Sequence, residues 1–259
     1  MNIRQFIVIF ILCSVSALVL VPKAYAQRAM NNPYVDDKLF HFGFQLGVNF
    51  ASFGVTDSGQ EVDVRGTNEV LHARVSSILP GFHVGFVSDL RLCKYLNLRF
   101  CPGLQFTSRG ITYKAESGHD VRSIATDADK RPVFGSTIDI LAMPIYLPLY
   151  LKFSSEREGN YRPYVIAGGG VSFNVLRDTN KPILLKESKN PDYFCEIGFG
   201  CDLYFQWFKW CPEITYRCGF ANMLCPADEH PNLSTDNAFY TNAISRLTTH
   251  CICLTFNFE

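Results

Sequence analysis

Seven charged side chains on alternating positions are the residues with the clearest capacity for chemistry. They lie on the polar side of five two-residue repeats: Arg99, Lys152, Arg162, Glu196, Asp202, Glu213 and Arg217. Four are cationic and three are anionic, and opposite charges held in a narrow space must pair, because an unpaired buried charge is strongly destabilising. We therefore expect a structural network of ion pairs, and we assign these residues no catalytic role.

A pair of cysteines, Cys251 and Cys253, is the second group with chemical potential. Because they stand two residues apart, both thiols lie on one face of an extended strand. A metal site and simple packing in a barrel interior both fit this pattern; we favour packing and predict no metal or cofactor. Nine cysteines follow residue 26, an odd number, so at least one is unpaired or pairs between chains.

The sequence lacks the motifs of common enzyme classes. It has no G-x-S-x-G, no H-E-x-x-H, no P-loop and no dinucleotide fingerprint. His72, His119-Asp120 and Asp228-Glu229-His230 fall in polar segments, where such residues are commonly solvated. Since nothing indicates the mutual geometry that an active site requires, we predict that the protein is not an enzyme.

The first 26 residues have the pattern of a secretory signal peptide. Arg4 precedes an apolar run from Phe6 to Val21, and Ala24-Tyr25-Ala26 is a small-x-small cleavage site. Without this segment the chain has 22 basic and 24 acidic residues, a net charge of −2. No basic excess exists to attract nucleic acid.

Residues 27–40 form a polar leader that contains several apolar side chains. Pro33, Tyr34 and Leu39 are more apolar than a plain tether needs, so we predict that they contact a protein partner. The alternative is a leader that merely packs into the mouth of the following domain.

A long hairpin in the middle of the chain sets the fold class. Residues 141–153 and 161–173 alternate apolar and polar positions on both sides of a short polar turn. Strands in soluble sheets usually have about 5–6 residues, whereas a membrane-spanning strand needs about 9–11. The length and the alternation together predict a β-barrel wall in lipid.

Eight segments share this pattern: residues 41–50, 81–92, 96–107, 141–153, 161–173, 192–205, 213–220 and 251–258. Their connections alternate between long and short, and residues 51–79 are predicted to be the first long loop. We therefore predict that residues 41–259 form an all-β, eight-stranded antiparallel transmembrane up-and-down barrel. It would lie in the outer membrane, in contact with its lipids, with long extracellular loops and short periplasmic turns.

Periodicity alone does not say which face points outward. A secreted lipocalin-like barrel also has eight strands, with an apolar interior. The membrane form is favoured by the dense apolar face, by the glycines repeated on the polar face, and by the aromatic last strand. In that form the lumen is filled by side chains and leaves no open pore.

Several blocks resemble the PorT (SprT) family of outer-membrane proteins over nearly the whole mature chain. The opening resembles it in Pro33-Tyr34-Val35-Asp36-Asp37-Lys38 and His41-Phe42-Gly43-Phe44. The ending resembles it in Tyr240-Thr241-Asn242-Ala243-Ile244 and Leu254-Thr255-Phe256-Asn257-Phe258-Glu259. Between them, Asn97-Leu98-Arg99-Phe100, Tyr161-Arg162-Pro163-Tyr164 and Glu196-Ile197-Gly198-Phe199-Gly200 are similar to the family's inner strands.

The resemblance implies a non-enzymatic component required for type IX protein secretion, which exports cargo with a C-terminal sorting domain, and for gliding motility in gliding relatives. It also implies other type IX secretion components as protein partners. Two further hypotheses remain: a generic small structural or adhesive barrel, and the lipocalin-like binder. The sequence does not predict the oligomeric state.

Overall fold

Antiparallel strands form nearly all of the computed structural model, which describes residues 30–64, 67–116, 137–176, 185, 191–225 and 238–259. The predicted signal peptide and parts of the long loops lie outside the described residues. Twelve strands occur in these ranges: β1 (Phe40–Asp57), β2 (Glu61–Val64), β3 (Thr67–Ile78), β4 (Pro80–Arg91), β5 (Leu96–Phe100), β6 (Gly103–Ala115), β7 (Thr137–Ala142), β8 (Pro144–Ser154), β9 (Tyr161–Asn174), β10 (Asp192–Tyr204), β11 (Lys209–Gly219) and β12 (Ile244–Phe258). A 3-10 helix (Val35–Asp37) precedes β1, and a short α-helix, α1 (Ala238–Asn242), precedes β12.

Eleven of the twelve segments make a closed ring of eight walls, and β2 pairs with β3 alone. Short interruptions at Leu79, at residues 101–102 and at Met143 divide three walls into the pairs β3–β4, β5–β6 and β7–β8. The ring closes because β1 pairs with β12 on one side and with β4 on the other, both antiparallel. The predicted eight-stranded antiparallel barrel is thereby confirmed.

The connections place the two ends of the barrel. Residues 92–95, 155–160 and 205–208 are the three short connections, and we call the end that carries them, with Glu259, the turn end. The opposite end, which we call the loop end, carries the β2–β3 hairpin and the longer connections.

The prediction that residues 51–79 form a loop is wrong. β1 continues to Asp57, and β2 and β3 fill most of the segment. The apolar residues change faces along β1, although odd-numbered residues point inward throughout the strand. Phe50 points outward and is 41% exposed, whereas Phe53 points inward and is 3% exposed. The predicted start of the last strand at Cys251 is also too late, because β12 begins at Ile244.

An apolar cluster inside the loop end explains this inversion. Beyond the bilayer the outer face of the strands meets water, so the apolar side chains turn inward and pack on one another. We call this cluster the loop-end core: Phe53, Val62, Val64, Leu71, Ala73, Ile111, Tyr113, Ala115, Ile138, Ile140, Ala142, Leu185, Met223, Leu224, Phe239, Tyr240, Ala243, Ile244 and Leu247.

In the rest of the barrel the apolar face points outward. Phe42 is 71% exposed, Phe86 72% and Phe199 64%, as a wall in contact with lipid requires. The lipocalin-like alternative, which needs an apolar interior along the whole barrel, is therefore wrong. Among the described residues, no helix is long and apolar enough to cross a membrane.

The loop-end core gives a test of where the fold stores its stability. Leu71 is fully buried in this core, so Leu71→Ala should lower the free energy of unfolding by about 2–5 kcal/mol. Leu46→Ala is the matched control, because Leu46 points to lipid and is 43% exposed. Urea unfolding in detergent micelles measures both variants, and an equal loss at the two positions would contradict this account.

Candidate functional site

The alternation of the strands aims all seven predicted charged residues into the lumen. Each is at most 9% exposed: Arg99, Lys152, Arg162, Glu196, Asp202, Glu213 and Arg217. Adjacent strands lie close there because glycines occupy inward positions of β9 and β10. A Cβ added at Gly168 would approach the Leu149 carbonyl oxygen to 2.1 Å, which no side chain tolerates.

Arg99 is the hub of the lumen. Its Nε donates to Asp89 Oδ2 at 3.0 Å, and its Nη1 reaches Glu213 Oε2 at 3.3 Å. Its Nη2 donates to Glu259 Oε1 at 2.7 Å. One guanidinium therefore joins β4, β5, β11 and the residue that follows β12, and the fixed fork of its donors suits several carboxylates at once.

Two lysines extend the network from this hub. Lys152 Nζ lies 2.8 and 2.7 Å from the two carboxylate oxygens of Asp202. Lys209 Nζ lies 2.5 Å from Glu259 Oε2. Glu259 thus pairs with Lys209 through one oxygen and with Arg99 through the other, whereas Lys152 and Asp202 form a separate pair between β8 and β10.

A second cluster forms around Glu196. Arg217 Nε and the Tyr150 hydroxyl each donate to Glu196 Oε2 at 2.8 Å. Arg217 Nη1 also donates to Gln105 Oε1 at 3.0 Å. Four strands, β6, β8, β10 and β11, are thereby connected across the barrel, with the carboxylate at the centre.

Arg162 lies nearer the turn end and has different partners from the other cations. Its Nε donates to the Ser155 carbonyl at 2.8 Å, and its Nη2 donates to the Lys94 carbonyl at 2.7 Å. It therefore holds two of the short turns together.

Three members of the network, Asp89, Lys209 and Glu259, lie outside the set of seven predicted residues. Asp89 has the same parity as His83 and Gly85 on β4, so alternation could have found it. Lys209 was placed in a turn, but it begins β11 and is 4% exposed. Glu259 follows the predicted end of the last strand at Phe258 by one residue, and it points inward like Asn257.

The leader is docked across the turn end. Asn31 N donates to Asn160 Oδ1 at 2.8 Å, and Asn31 Nδ2 donates to the Tyr204 carbonyl at 3.0 Å. The Tyr204 hydroxyl donates to Asp36 at 2.8 Å, and Arg157 donates to the Asn31 carbonyl. This geometry matches the alternative in which the leader packs into the barrel mouth.

The three predicted contact residues of the leader nevertheless point away from the barrel. Tyr34 is 77% exposed and Leu39 is 58% exposed, and Pro33 is also exposed. Tyr34 lines a groove of about 660 Å³ at the turn end, together with Lys38, Trp207 and Phe208. Trp207 is 90% exposed, so the groove has two freely presented aromatic rims, and we call it the turn-end groove.

The neighbouring turns carry a separate surface cluster. The Tyr95 hydroxyl and Lys94 Nζ donate to Glu156 Oε1 at 2.7 and 3.0 Å. These two hydrogen bonds hold the pKa of the Glu156 carboxyl below its ordinary value. Because the charged side chains of Lys94 and Glu156 are exposed, the ion pair is screened by solvent and contributes little to stability.

The predicted cysteine pair lies inside the barrel. Cys251 Sγ and Cys253 Sγ are 3.4 Å apart, and both residues are 3% exposed. Gln105 Nε2 donates to Cys251 Sγ at 3.3 Å. In the part of the chain that the structure describes, no group of three or more His, Cys, Asp or Glu side chains is placed to hold a metal ion.

The histidines singled out in the sequence fall at the loop end or outside the described residues. His72 on β3 lies at the loop end, where its Nδ1 is 3.1 Å from Oδ2 of Asp57, the last residue of β1. His119-Asp120 and Asp228-Glu229-His230 lie outside the described residues.

Comparison with known proteins gives one family and a set of related structures. Residues 25–224 match the family described as outer membrane protein beta-barrel domain. The crystal structure of neisserial surface protein A (NspA) is similar at 9% identity and a TM-score of 0.39, over 85% of this chain and 98% of that one. The solid-state NMR structure of outer membrane protein AlkL in DMPC lipid bilayers is similar at 12% identity and a TM-score of 0.35, over 84% of this chain and 90% of that one. No curated protein sequence matches the chain.

Removing the carboxylate of Glu196 tests the lumen network. Glu196→Leu should lower the free energy of unfolding by about 3–5 kcal/mol, because it leaves the buried Arg217 without its anionic partner. Adding Arg217→Met should restore most of the loss, since replacing both partners of a buried pair is often nearly neutral. Unfolding midpoints in detergent report both variants, and an unchanged midpoint in Glu196→Leu would show that the pair carries no stability.

Proposed function

Because the chain belongs to the outer membrane protein β-barrel domain family, we propose that this outer-membrane barrel is a non-enzymatic component required for type IX protein secretion. It acts as an assembly or stabilising partner of a larger export machine and performs no chemistry. The opening block that resembles the PorT family carries the proposal, because it is docked on the turn end and presents its apolar side chains outward.

The filled lumen argues that the barrel is not the export conduit. Arg99, Lys152 and Arg217 are each held by carboxylates from other strands. Opening a path would break several buried ion pairs, each costly to separate. A protein of this kind contributes to secretion through its surfaces.

The turn-end groove is the surface that we assign to the partner. Short turns of outer-membrane barrels face the periplasm, where the other secretion components would reach it. Exposed aromatic residues are enriched where proteins bind one another, and a few of them supply most of the affinity. Tyr34 and Trp207 both line the groove, and Leu39 is a further exposed apolar residue of the leader.

A generic structural or adhesive barrel is the second candidate. The loop-end core favours it, because strands longer than a bilayer requires build a rigid platform outside the membrane. In that case the partner would bind at the loop end, and cargo export would not depend on the leader.

Truncating the leader separates the two candidates. Deletion of residues 30–38, with the signal and barrel kept, should abolish export of cargo with C-terminal sorting domains while the barrel still assembles. Profiling of secreted proteins measures export, and heat-modifiable gel migration measures assembly. Intact export in an assembled truncated barrel would exclude the leader and favour the loop end.

Point variants sharpen the test, because docking and contact use different side chains. The double variant Tyr34→Ala, Leu39→Ala keeps Asn31 and Asp36, which dock the leader. It removes two exposed apolar side chains that we assign to the partner contact. We expect a loss of partner retention of about tenfold or more, since truncating a central contact residue typically costs about 2 kcal/mol. Phe86→Ala is the matched control, because Phe86 is a comparably exposed aromatic residue of β4 that points to lipid and lies outside the groove. An equal loss in this variant would contradict the assignment.

A further inference from the structure

The two lumen thiols are held in contact by the geometry of β12. Cys251 and Cys253 project from the same face of this strand, and their sulfur atoms are 3.4 Å apart. β12 is fixed on both sides, because Cys251 pairs with Ala51 of β1 and with Arg217 of β11. The two thiols therefore stay side by side as long as the barrel is closed.

A disulfide does not suit this pair. Cβ atoms joined by a disulfide are about 3.5–4.5 Å apart, whereas positions i and i+2 on a strand are about 6.5 Å apart along the chain. The strand would have to buckle between two neighbours that hold it in register. Both cysteines are in the thiol form in this structure.

A buried guanidinium with one unpartnered nitrogen, that of Arg109, lies near the thiols. Arg109 is 6% exposed, and its Nε has no hydrogen-bond partner among the described residues. Its guanidinium lies 4.9 Å from the centre of the Phe53 ring, which offsets part of the charge. A buried guanidinium in this position is poised for an anionic neighbour, because an unpaired charge away from water is unfavourable.

A small cavity lies beside Cys251 and Arg109. It has a volume of about 30 Å³, and its lining includes Cys251, Gln105, Arg109, Arg217 and Asp192. The Asp192 carboxylate is already engaged by the Thr249 hydroxyl and by the Ala221 backbone N–H. The space suits one or two water molecules or one ion without its hydration shell.

We propose that Cys251 and Cys253 form a two-sulfur site for one soft monovalent cation of the copper(I) class. Thiolates select such soft ions. Both thiols release a proton, each thiolate sulfur forms one bond to the cation, and the resulting complex carries a net charge of −1. Arg109 supplies the buried positive charge that offsets it. The site therefore accounts both for the thiol contact and for the unpartnered Nε of Arg109.

The geometry needs only a small side-chain movement. A metal–sulfur bond is about 2.3 Å long, so two thiolates bound in line stand about 4.6 Å apart. The present separation is 3.4 Å, and rotation about the Cα–Cβ bonds provides the difference without moving β12.

Silver(I) is the probe, because it is soft, monovalent and does not change oxidation state in air. The full-length mature barrel is refolded in detergent under reducing conditions, loaded with silver(I) against a competing small-molecule thiol, and analysed by native mass spectrometry. Wild type should retain one silver ion, and Cys251→Ala and Cys253→Ala should retain none. Arg109→Met should retain silver about tenfold more weakly, because it loses the offsetting charge.

Cys211→Ser is the matched control, since Cys211 is a fully buried lumen cysteine at the turn end, and it should bind silver like wild type. Alkylation of loaded wild type, mapped on peptides, keeps the test decisive if a variant fails to fold: silver should protect Cys251 and Cys253. The proposal is overturned if wild type retains no silver, if Cys211→Ser loses as much as Cys251→Ala, or if other cysteines are the protected ones. A Cys251–Cys253 disulfide in the unreduced protein would also overturn it.

Discussion

Closure of the sheet is the constraint on which the whole structure depends. A sheet in lipid cannot leave an edge, because unpaired backbone groups have no water to bond with. β1 meets this need by pairing with β12 and β4 at once. Once the ring is closed, every residue on a wall faces either lipid or a narrow interior. The outward positions must then be apolar, and the inward positions must find partners within the lumen.

The interior answers this demand in two ways. Toward the turn end it is filled with charge, and the pairing from Arg99 to Glu259 and from Arg217 to Glu196 satisfies those groups. Toward the loop end the interior is filled with apolar side chains, because the outer face of the strands there contacts water and the apolar residues are buried inside. Cys251, Gln105 and Arg109 lie between these regions and line one small cavity. The Nε of Arg109 has no hydrogen-bond partner there among the described residues.

Alternation in the sequence was enough to predict the eight walls and the inward direction of Arg99 and Glu213, because both depend on a period of two alone. The prediction from alternation failed at Phe53, because the apolar residues move there from the outward to the inward face. This change in the pattern was indistinguishable from the end of a strand. Pairing partners such as Glu259 for Arg99 depend on the register of strands 160 residues apart, which no local pattern encodes. The docking of the leader escaped prediction for the same reason, since Asn31 is bonded to a turn distant in the chain.

The charge network across the lumen has an electrical consequence. Arg99 is only 1% exposed and forms ion pairs with three carboxylates. An ion at this level of the barrel therefore meets side chains whose charges are already paired, and it could pass only by separating them. The described part of the barrel therefore provides no conducting path for ions across the outer membrane.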